Sequence, residues 1–234
     1  MNMLLTIKNT SKVKWKHLIL DLLYPKTCIT CSRTLKEEEK FICIGCFLEL
    51  PLSEKTYESI FIANQWVENY PFLKFSKKGK AQRLIHEVKY KGNKELGVWL
   101  GKQLGSNLKN KLEVDENCLL LPVPLHKERK KQRGYNQAEE IAVGISETLG
   151  IEVADENLVE RTKATLTQAR MKKEDRKANT QGVFRLNNAA KLENKTIIIV
   201  DDVITTGATV EALIEALLPS KPKGISIMTI ASVK

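Results

Sequence analysis

Residues 196–209 read Thr-Ile-Ile-Ile-Val-Asp-Asp-Val-Ile-Thr-Thr-Gly-Ala-Thr, and this stretch decides which fold the chain adopts. Its β-branched run predicts a buried strand over residues 196–200, which delivers two adjacent aspartates to its carboxyl end. A hydroxyl-rich turn with a single glycine follows, and a helix is predicted over residues 210–218 that stops at Pro219. A further strand is predicted over residues 225–231. A strand, a helix and a strand at these spacings indicate a right-handed crossover and a parallel sheet.

The two aspartates and the turn after them suit a phosphorylated sugar with a metal ion. Ligands of open α/β sheets bind at the carboxyl ends of the strands, and a helix N-terminus offers free N–H groups to a phosphate. Gly207 lets the backbone approach such a phosphate closely. Adjacent carboxylates repel each other unless cations or donors compensate, and a ribose diol with hydrated Mg²⁺ would satisfy Asp201 and Asp202. The alternative is an ordinary capped helix after a strand. Such a helix would not need Asp-Asp and Thr-Thr-Gly-Ala-Thr together, so their joint presence favours a binding site.

The same segment resembles the motif with which type I phosphoribosyltransferases bind phosphoribosyl pyrophosphate (PRPP), and no Gly-Lys-Ser or Gly-Lys-Thr marks it as a Walker loop. The resemblance implies that Asp201 and Asp202 hold the ribose 2′ and 3′ hydroxyls with Mg²⁺ close by. It also implies that the 5′-phosphate is cradled by five residues, Thr205, Thr206, Gly207, Ala208 and Thr209. Hypoxanthine-type members carry an aspartate in place of Thr205, so the resemblance argues against a purine-salvage enzyme of that kind.

A second strand and helix are predicted upstream of this segment. The run Leu-Leu-Leu-Pro-Val-Pro at residues 119–124 predicts a short buried strand that is ended by prolines. In the helix predicted over residues 134–150, Asn136 is a candidate N-cap and Glu139 follows three residues later, as in a capping box. Gly150 can terminate this helix.

The basic segment between that strand and that helix is a candidate for the loop that grips pyrophosphate in phosphoribosyltransferases. Guanidinium groups bind the charged oxygens of pyrophosphate in a fork geometry. A basic loop that is merely solvated is the alternative, but the position after a strand and upstream of the Asp-Asp pair favours a functional role. The candidate residues are Leu125, His126, Lys127, Arg129 and Arg133.

Two earlier helices are predicted from apolar periodicity. Apolar side chains within residues 84–88 share one helical face, and leucines recur every four residues over 96–108. His86, Lys89 and Tyr90 lie near the end of the first helix on adjacent positions of its surface. Lys89 is a further site candidate, with plain helix surface as the competing interpretation.

Residues 161–182 are polar and basic with little apolar periodicity, which predicts a lid or loop. A lid that excludes water would protect a reactive cation from hydrolysis. The stretch resembles the lid of amidophosphoribosyltransferases, and the resemblance assigns Arg161, Gln168 and Arg170 to it. A disordered polar connector is the alternative.

Four cysteines form two Cys-x-x-Cys pairs, Cys28 with Cys31 and Cys43 with Cys46, separated by eleven residues. This spacing predicts a closed tetrahedral zinc site with a structural or interactive role. A redox pair is the alternative, but two matched pairs are present and no thioredoxin-like βαβ pattern surrounds them. Cys118 stands apart and is predicted to be a buried core residue.

The composition favours anionic partners. The net charge is +10, from 38 Lys plus Arg against 28 Asp plus Glu, which suits phosphates, nucleic acid or acidic lipid without choosing among them.

A short amphipathic helix is predicted over residues 11–23, but Asp21 interrupts its apolar run and no cleavage site follows, so we expect no signal peptide. We expect no membrane-spanning helix either, because no apolar run approaches about 18 residues. The chain is therefore expected to be cytosolic, where thiols stay reduced.

The order of these parts resembles the ComF/ComFC family of competence-associated proteins. The residues that carry the resemblance are the four cysteines, Leu-Pro-Val-Pro at 121–124, Arg-Gly-Tyr-Asn-Gln at 133–137, Thr-Gln-Ala-Arg at 167–170 and the Asp-Asp-Val-Ile-Thr-Thr-Gly-Ala-Thr run. The resemblance implies an α/β fold, a type I phosphoribosyltransferase-like parallel sheet flanked by helices, preceded by a small Cys₄ zinc-binding module. We expect the helix and zinc module over residues 1–58 and the phosphoribosyltransferase-like domain over residues 59–234.

Two functions follow from this resemblance. The first is an enzyme of DNA uptake during natural competence that transfers the phosphoribosyl group at C1 of PRPP to an unknown acceptor and releases pyrophosphate. The second is a non-catalytic module that senses PRPP or binds single-stranded DNA or a protein. The family implies a cytoplasmic location, including a peripheral one at the inner face of the membrane, and a competence helicase as partner. A complete amidophosphoribosyltransferase is not expected, because no segment suits a glutaminase domain.

Overall fold

The computed structural model describes residues 25–163 and 182–233. The chain divides into two compact units, Met1–Leu48 and Glu49–Lys234. The helix predicted over residues 11–23 lies outside the described residues. The domain boundary predicted after residue 58 stays a prediction.

In the described part of the first unit, turns surround one short helix. The N–H of Cys28 donates to the carbonyl oxygen of Arg33 at 2.8 Å, which closes a tight turn. An antiparallel bridge joins Thr27 to Thr34 beside that turn. The helix α1 (Ile44–Leu48) follows and buries one of its residues, a cysteine. Small units bury little apolar surface and usually need a cross-link such as a bound metal.

The second unit alternates strands and helices along the chain. Its strands are β1 (Glu58–Ile62), β2 (Gln65–Lys74), β3 (Cys118–Pro122), β4 (Glu152–Val153), β5 (Val159–Arg161), β6 (Phe184–Leu186), β7 (Thr196–Ile204) and β8 (Gly224–Ser232). Its helices are α2 (Lys80–Tyr90), α3 (Lys94–Leu108), α4 (Lys127–Arg133), α5 (Gln137–Leu149) and α6 (Ala208–Leu217), with short 3₁₀ turns at Ala189–Leu192 and Leu218–Ser220.

Six of the strands form one sheet in the order β1-β2-β8-β7-β3-β4. Every neighbouring pair is parallel except β1 and β2, which form an antiparallel hairpin at one edge. The register pairs Leu121 of β3 with Ile199 of β7 and Ile199 with Ile227 of β8. Strands β5 and β6 form a separate antiparallel pair. The predicted α/β fold with a mostly parallel sheet is confirmed.

Both faces of the sheet are covered, as a parallel sheet requires. On one face, Ile197 and Ile199 of β7 belong to a buried cluster with Val210, Leu213 and Leu217 of α6. Successive side chains of a strand alternate between faces, so the intervening residues of β7 lie on the opposite face. Helix α5 packs against β7 there, and α3 packs against α5. This two-sided burial holds the carboxyl end of β7 in place.

Several predicted elements are confirmed. The predicted apolar faces of α2 and α3 are buried. Helix α5 begins where predicted, because the Asn136 side chain accepts a hydrogen bond from the Ala138 N–H at 3.1 Å. It ends at Gly150, which has a φ of 73°. The predicted strand at residues 119–124 is β3, and Cys118 at its start is buried as predicted.

Two predictions were wrong in their secondary structure. The basic segment predicted as a loop contains helix α4, since Lys, Arg, Glu and Gln are good helix formers and the segment is capped at both ends. His126 accepts a hydrogen bond from the Glu128 N–H at one end, and Gly134, with a φ of 80°, ends the helix at the other. Strand β7 also continues past the predicted end at residue 200 to Ile204, because β8 pairs with it as far as Ser232.

Candidate functional site

The two adjacent carboxylates lie in the carboxyl-terminal half of β7. Asp202 is 3% exposed, and its N–H donates a hydrogen bond to the Asp201 carboxylate at 2.8 Å. Burial raises the pKa of Asp201, and the neighbouring Asp202 raises it further, while Lys89 and Arg161 act in the opposite direction. The charged form of Asp201 is therefore disfavoured without a further partner, as at a site that receives a cation or donor groups.

Each oxygen of Asp202 has a different environment. The Oδ1 atom lies 2.9 Å from Lys89 Nζ, at the last turn of α2. Among the described residues, no hydrogen-bond donor reaches the buried Oδ2 atom. A buried polar atom without a partner is costly, so this oxygen marks a place for a ligand hydroxyl, a metal-bound water or a metal ion.

The turn after β7 forms a small cavity beside Asp201. The cavity is lined by Asp201 and by residues 203–210, which include all five predicted phosphate-binding residues. Gly207 precedes α6 with a φ of 78°, a conformation that side-chain-bearing residues rarely adopt. The first N–H groups of a helix lack intrahelical partners and face outward along its axis. The structure therefore brings a carboxylate and the amide groups of a helix N-terminus to one cavity, which suits a sugar phosphate.

Two lysines of helix α4 form ion pairs with nearby carboxylates. Lys127 Nζ lies 2.7 Å from a carboxylate oxygen of Glu160. Lys130 contacts Glu156 and lies 3.5 Å from Glu139. These residues line a cleft that also contains Leu125. Two predicted pyrophosphate residues, Leu125 and Lys127, thus lie where the lysine charge is already balanced.

The other side of α4 lines a second cleft that is strongly cationic. We call it the cationic cleft, and its lining residues are Lys89, Tyr90, Gly92, Arg129, Gln132 and Arg133. The Arg133 guanidinium lies 5.3 Å from the centre of the Tyr90 ring and donates to the Gln137 side chain at 2.7 Å. All charged residues lining this cleft carry positive charge, so it suits an anion such as pyrophosphate better than the first cleft does.

The segment Arg-Gly-Tyr-Asn-Gln, residues 133–137, positions the groups around this cleft. The Tyr135 hydroxyl donates to the carbonyl oxygen of Val88, next to Lys89, and so ties α2 to this segment. The Asn136 side-chain amide donates to the Val123 carbonyl oxygen at 3.0 Å, just after β3. The sequence predicted Asn136 as the N-cap of the helix, but it predicted neither the bond from Asn136 to Val123 nor any role for Tyr135. Their buried hydrogen bonds are tertiary contacts, which no local pattern announces.

The lid candidates are only partly described. Arg161 ends β5, is 7% exposed and lies with its guanidinium 5.4 Å from the centre of the Phe184 ring. Burial lowers the pKa of Arg161, the neighbouring Arg129 lowers it further, and Asp201 raises it. Arg161 is therefore close to both the carboxylate pair and α4. Gln168 and Arg170 lie outside the described residues.

The first unit contains a separate cysteine cluster. The Sγ atoms of Cys28, Cys31, Cys43 and Cys46 all lie within 4.8 Å of one another. Cys31 and Cys43 have their sulfurs 3.7 Å apart, close to the roughly 3.8 Å that a tetrahedron with Zn–S bonds of about 2.3 Å requires. Backbone N–H groups also point at the sulfurs, from Cys43 to Cys28 at 3.4 Å and from Cys46 to Cys43 at 3.5 Å. The donor set and its size fit Zn²⁺.

Comparison with known proteins supports both units. The model of the phosphoribosyl transferase domain matches residues 123–234, and the model of the double zinc ribbon domain matches residues 19–57. The zinc ribbon match and the cysteine cluster together support a structural zinc ion. Within the described ranges, no helix is long and apolar enough to span a membrane.

Three relatives have names that refer to competence or to DNA utilization. Competence protein F of Haemophilus influenzae is 28% identical over 195 residues, which cover 83% of this chain and 73% of that protein. DNA utilization protein YhgH of Escherichia coli is 30% identical over 149 residues, covering 62% and 63% respectively. Competence protein ComFC of Bacillus subtilis is 25% identical over 239 residues, covering 95% and 90%. The chain is thus similar to competence protein F, YhgH and ComFC, and it has a zinc ribbon match ahead of a phosphoribosyl transferase domain match.

Proposed function

We propose that the chain binds PRPP with Mg²⁺ across the carboxyl end of β7. The observation that carries this proposal is the buried Asp202 carboxylate, of which one oxygen has no donor among the described residues. A ribose hydroxyl or a metal-bound water would supply that donor. The cavity lined by Asp201 and residues 203–210 supports the proposal, because it offers the 5′-phosphate a subsite next to that carboxylate.

Each chemical group of PRPP has a different set of binding residues in this proposal. The ribose 2′ and 3′ hydroxyls donate to Asp201 and Asp202, and Mg²⁺ binds near these carboxylates through oxygen ligands. The 5′-phosphate accepts from the N–H groups and threonine hydroxyls of residues 205–209. The pyrophosphate occupies the cationic cleft, where Arg129 and Arg133 offer forked donors.

As an enzyme, the protein would transfer the phosphoribosyl group at C1. The acceptor's nucleophilic atom forms a bond to C1 while the bond from C1 to the pyrophosphate oxygen breaks. The electron pair of that bond leaves with pyrophosphate, which also takes any proton that the acceptor atom loses. The cationic cleft stabilises the developing charge, and Mg²⁺ held by Asp201 and Asp202 would add to this stabilisation. Arg161, buried beside Asp201, anchors the segment that we propose as the lid and that excludes water during this step.

The proposed cellular role is DNA uptake during natural competence. It rests on the names of the relatives, competence protein F, ComFC and DNA utilization protein YhgH. We place the protein in the cytoplasm, at the inner face of the membrane when it meets the uptake machinery, with single-stranded DNA and a competence helicase as partners. The net charge of +10 supports an anionic partner of this kind.

A non-catalytic module is the second candidate function. The exposed Lys131 neighbours the cationic cleft on α4, and this basic surface suits the phosphates of single-stranded DNA as well as pyrophosphate. In this case PRPP is a sensed ligand, and its binding changes the affinity for DNA or for a protein.

Two measurements separate these functions. In the first, pyrophosphate release from Mg·PRPP is followed with a panel of nucleobases, amines and single-stranded DNA as acceptors. Release with one acceptor supports the enzyme, whereas tight PRPP binding without release for any acceptor supports the module. In the second, fluorescence anisotropy of labelled single-stranded DNA is recorded with and without saturating Mg·PRPP. If DNA uses the cationic cleft, its affinity falls steeply with salt and Mg·PRPP competes with it.

A further inference from the structure

Lys89 faces two charged environments at once. Its Nζ atom is 2.9 Å from Asp202 Oδ1, and the same residue lines the cationic cleft with Arg129 and Arg133. The side chain of Asp202 is 4% exposed and that of Lys89 is 21% exposed, so the contact lies at the inner end of the cleft. One ammonium group therefore connects the carboxylate pair to the cationic cleft.

The backbone around Lys89 is fixed by the rest of the site. The preceding residue, Val88, is 2% exposed and its carbonyl oxygen accepts from the buried Tyr135 hydroxyl. Lys89 also lies in the last turn of α2, where the helix dipole favours a cation. The ammonium group is thus held near Asp202 by buried packing, unlike an ordinary lysine on an exposed surface.

A cation at this place has opposite effects on the two kinds of ligand. It neutralises part of the carboxylate charge, so it lowers the attraction of Asp201 and Asp202 for a divalent metal ion. It adds positive charge to the cationic cleft, so it strengthens the binding of an anion there. Both effects act over a few ångströms in a partly buried site, where solvent screens them weakly.

We infer that Lys89 is a positioning residue that couples the metal and anion subsites: it holds Asp202 in the absence of metal and contributes to pyrophosphate binding. The inference rests on the proposed function, because it names the residue that links the two parts of that site. A divalent metal ion at the carboxylates would repel the ammonium group and release it from Asp202, so that it would be available to an anion in the cleft. Mg²⁺ and pyrophosphate consequently bind together better than either binds alone.

The test uses Lys89→Gln and measures each ligand separately. Mn²⁺ alone is titrated and followed by electron paramagnetic resonance, and inorganic pyrophosphate alone is titrated by calorimetry in the presence of chelator. We expect Lys89→Gln to bind Mn²⁺ about tenfold more tightly and pyrophosphate about tenfold more weakly. Lys89→Arg keeps the charge and should leave both affinities within about threefold. Lys91→Gln removes an exposed positive charge two residues away and serves as the matched control.

Opposite shifts distinguish this role from a merely structural one, because a damaged site loses affinity for both ligands. Unchanged Mn²⁺ and pyrophosphate affinities in folded Lys89→Gln, or equal shifts in Lys91→Gln, overturn the inference. If Lys89→Gln does not fold, the substitution is made together with Asp202→Asn and compared with Asp202→Asn alone, and equal pyrophosphate affinities of these two variants overturn the inference. PRPP binding by the wild-type protein tests the proposed function independently of these shifts.

Discussion

Gly101 of α3 and Gly144 of α5 face each other where the two helices cross. A Cβ atom added at Gly101 would lie 2.0 Å from the carbonyl oxygen of Ile141 and 3.0 Å from the Cα atom of Gly144. A Cβ atom added at Gly144 would lie 2.0 Å from the carbonyl oxygen of Val98. The backbones therefore touch, and the crossing sets the position of α5, whose N-terminal segment carries Tyr135 and Asn136.

Replacing Gly101 by alanine is expected to destabilise the second unit. The added methyl group collides with backbone atoms that cannot rotate away, and overpacking of this kind typically costs about 1–3 kcal/mol or more. Urea denaturation of Gly101→Ala should therefore show a clearly lower midpoint than wild type. Gly224→Ala is the control, because no atom lies within 4 Å of its added Cβ and its φ is not left-handed. Equal stability of the two variants would show that the helices are not packed this closely.

The two sides of α4 are expected to contribute unequally to pyrophosphate binding. Arg129 and Arg133 line the cationic cleft, whereas Lys127 is paired with Glu160 in the other cleft. Hydrogen bonds to charged groups contribute about 1.5–3 kcal/mol, so Arg129→Ala or Arg133→Ala should weaken pyrophosphate binding by about tenfold or more. Lys127→Ala should change it by less than about threefold. Calorimetric titration with pyrophosphate checks this order, and a larger loss in Lys127→Ala contradicts our assignment of the cleft.

Asp201 is expected to make stability and ligand binding respond to pH in opposite directions. Its pKa is raised in the folded protein by burial and by Asp202, so the folded state binds more protons than the unfolded state between the ordinary and the raised pKa. Stability therefore falls as pH rises through that window, while Mg·PRPP affinity rises because the carboxylate becomes charged.

Denaturation midpoints and PRPP titrations between about pH 4 and about pH 8 measure both trends. In Asp201→Asn the titrating group is gone, so the part of each trend that comes from Asp201 should vanish. The raised pKa is contradicted if the stability of the wild-type protein rises through this window together with PRPP affinity, and if Asp201→Asn shows the same rise in stability.

The purified protein is expected to contain about one Zn²⁺ per chain, bound by the four cysteines of the first unit. Replacing Cys43 and Cys46 with serine removes two thiolate ligands, so zinc should be lost and the first unit should unfold. The second unit should still bind PRPP, because its site contains none of these residues. Cys118→Ala, which removes the cysteine outside the cluster, should keep its zinc. Metal analysis that finds no zinc in protein prepared without chelator refutes this prediction.

The parts of the site that depend on local sequence were predictable. The β-branched run, the two aspartates and the turn with Gly207 occur in one uninterrupted segment, and the residues that line the cavity beside Asp201 belong to that segment. The cysteine spacing likewise led to a cluster of the right size for zinc. In both cases adjacent residues carry the chemistry, so pattern and spacing suffice.

The parts that depend on tertiary packing were not predictable from the same reasoning. The β1–β2 hairpin turns at Ala63 and Asn64, with φ values of 50° and 60° and no glycine to announce the turn. Helical periodicity placed Lys89 on a helix surface, but only the packing of α2 against α3 and β8 brings it to Asp202. The division of α4 into a neutralised side and a cationic side also depends on acidic residues that are distant in sequence, such as Glu160.

The central claim is that Asp201 and Asp202 bind Mg·PRPP, and one calorimetric titration tests it most directly. The double variant Asp201→Asn with Asp202→Asn keeps the shape of both side chains and removes their charge. The control is the double variant Glu37→Gln with Glu38→Gln, which removes the charge of two adjacent carboxylates that are exposed. Circular dichroism confirms that each variant is folded. The account predicts that the aspartate variant loses about 100-fold or more in Mg·PRPP affinity, while the control pair binds like wild type. Wild-type affinity in the folded aspartate variant would contradict it.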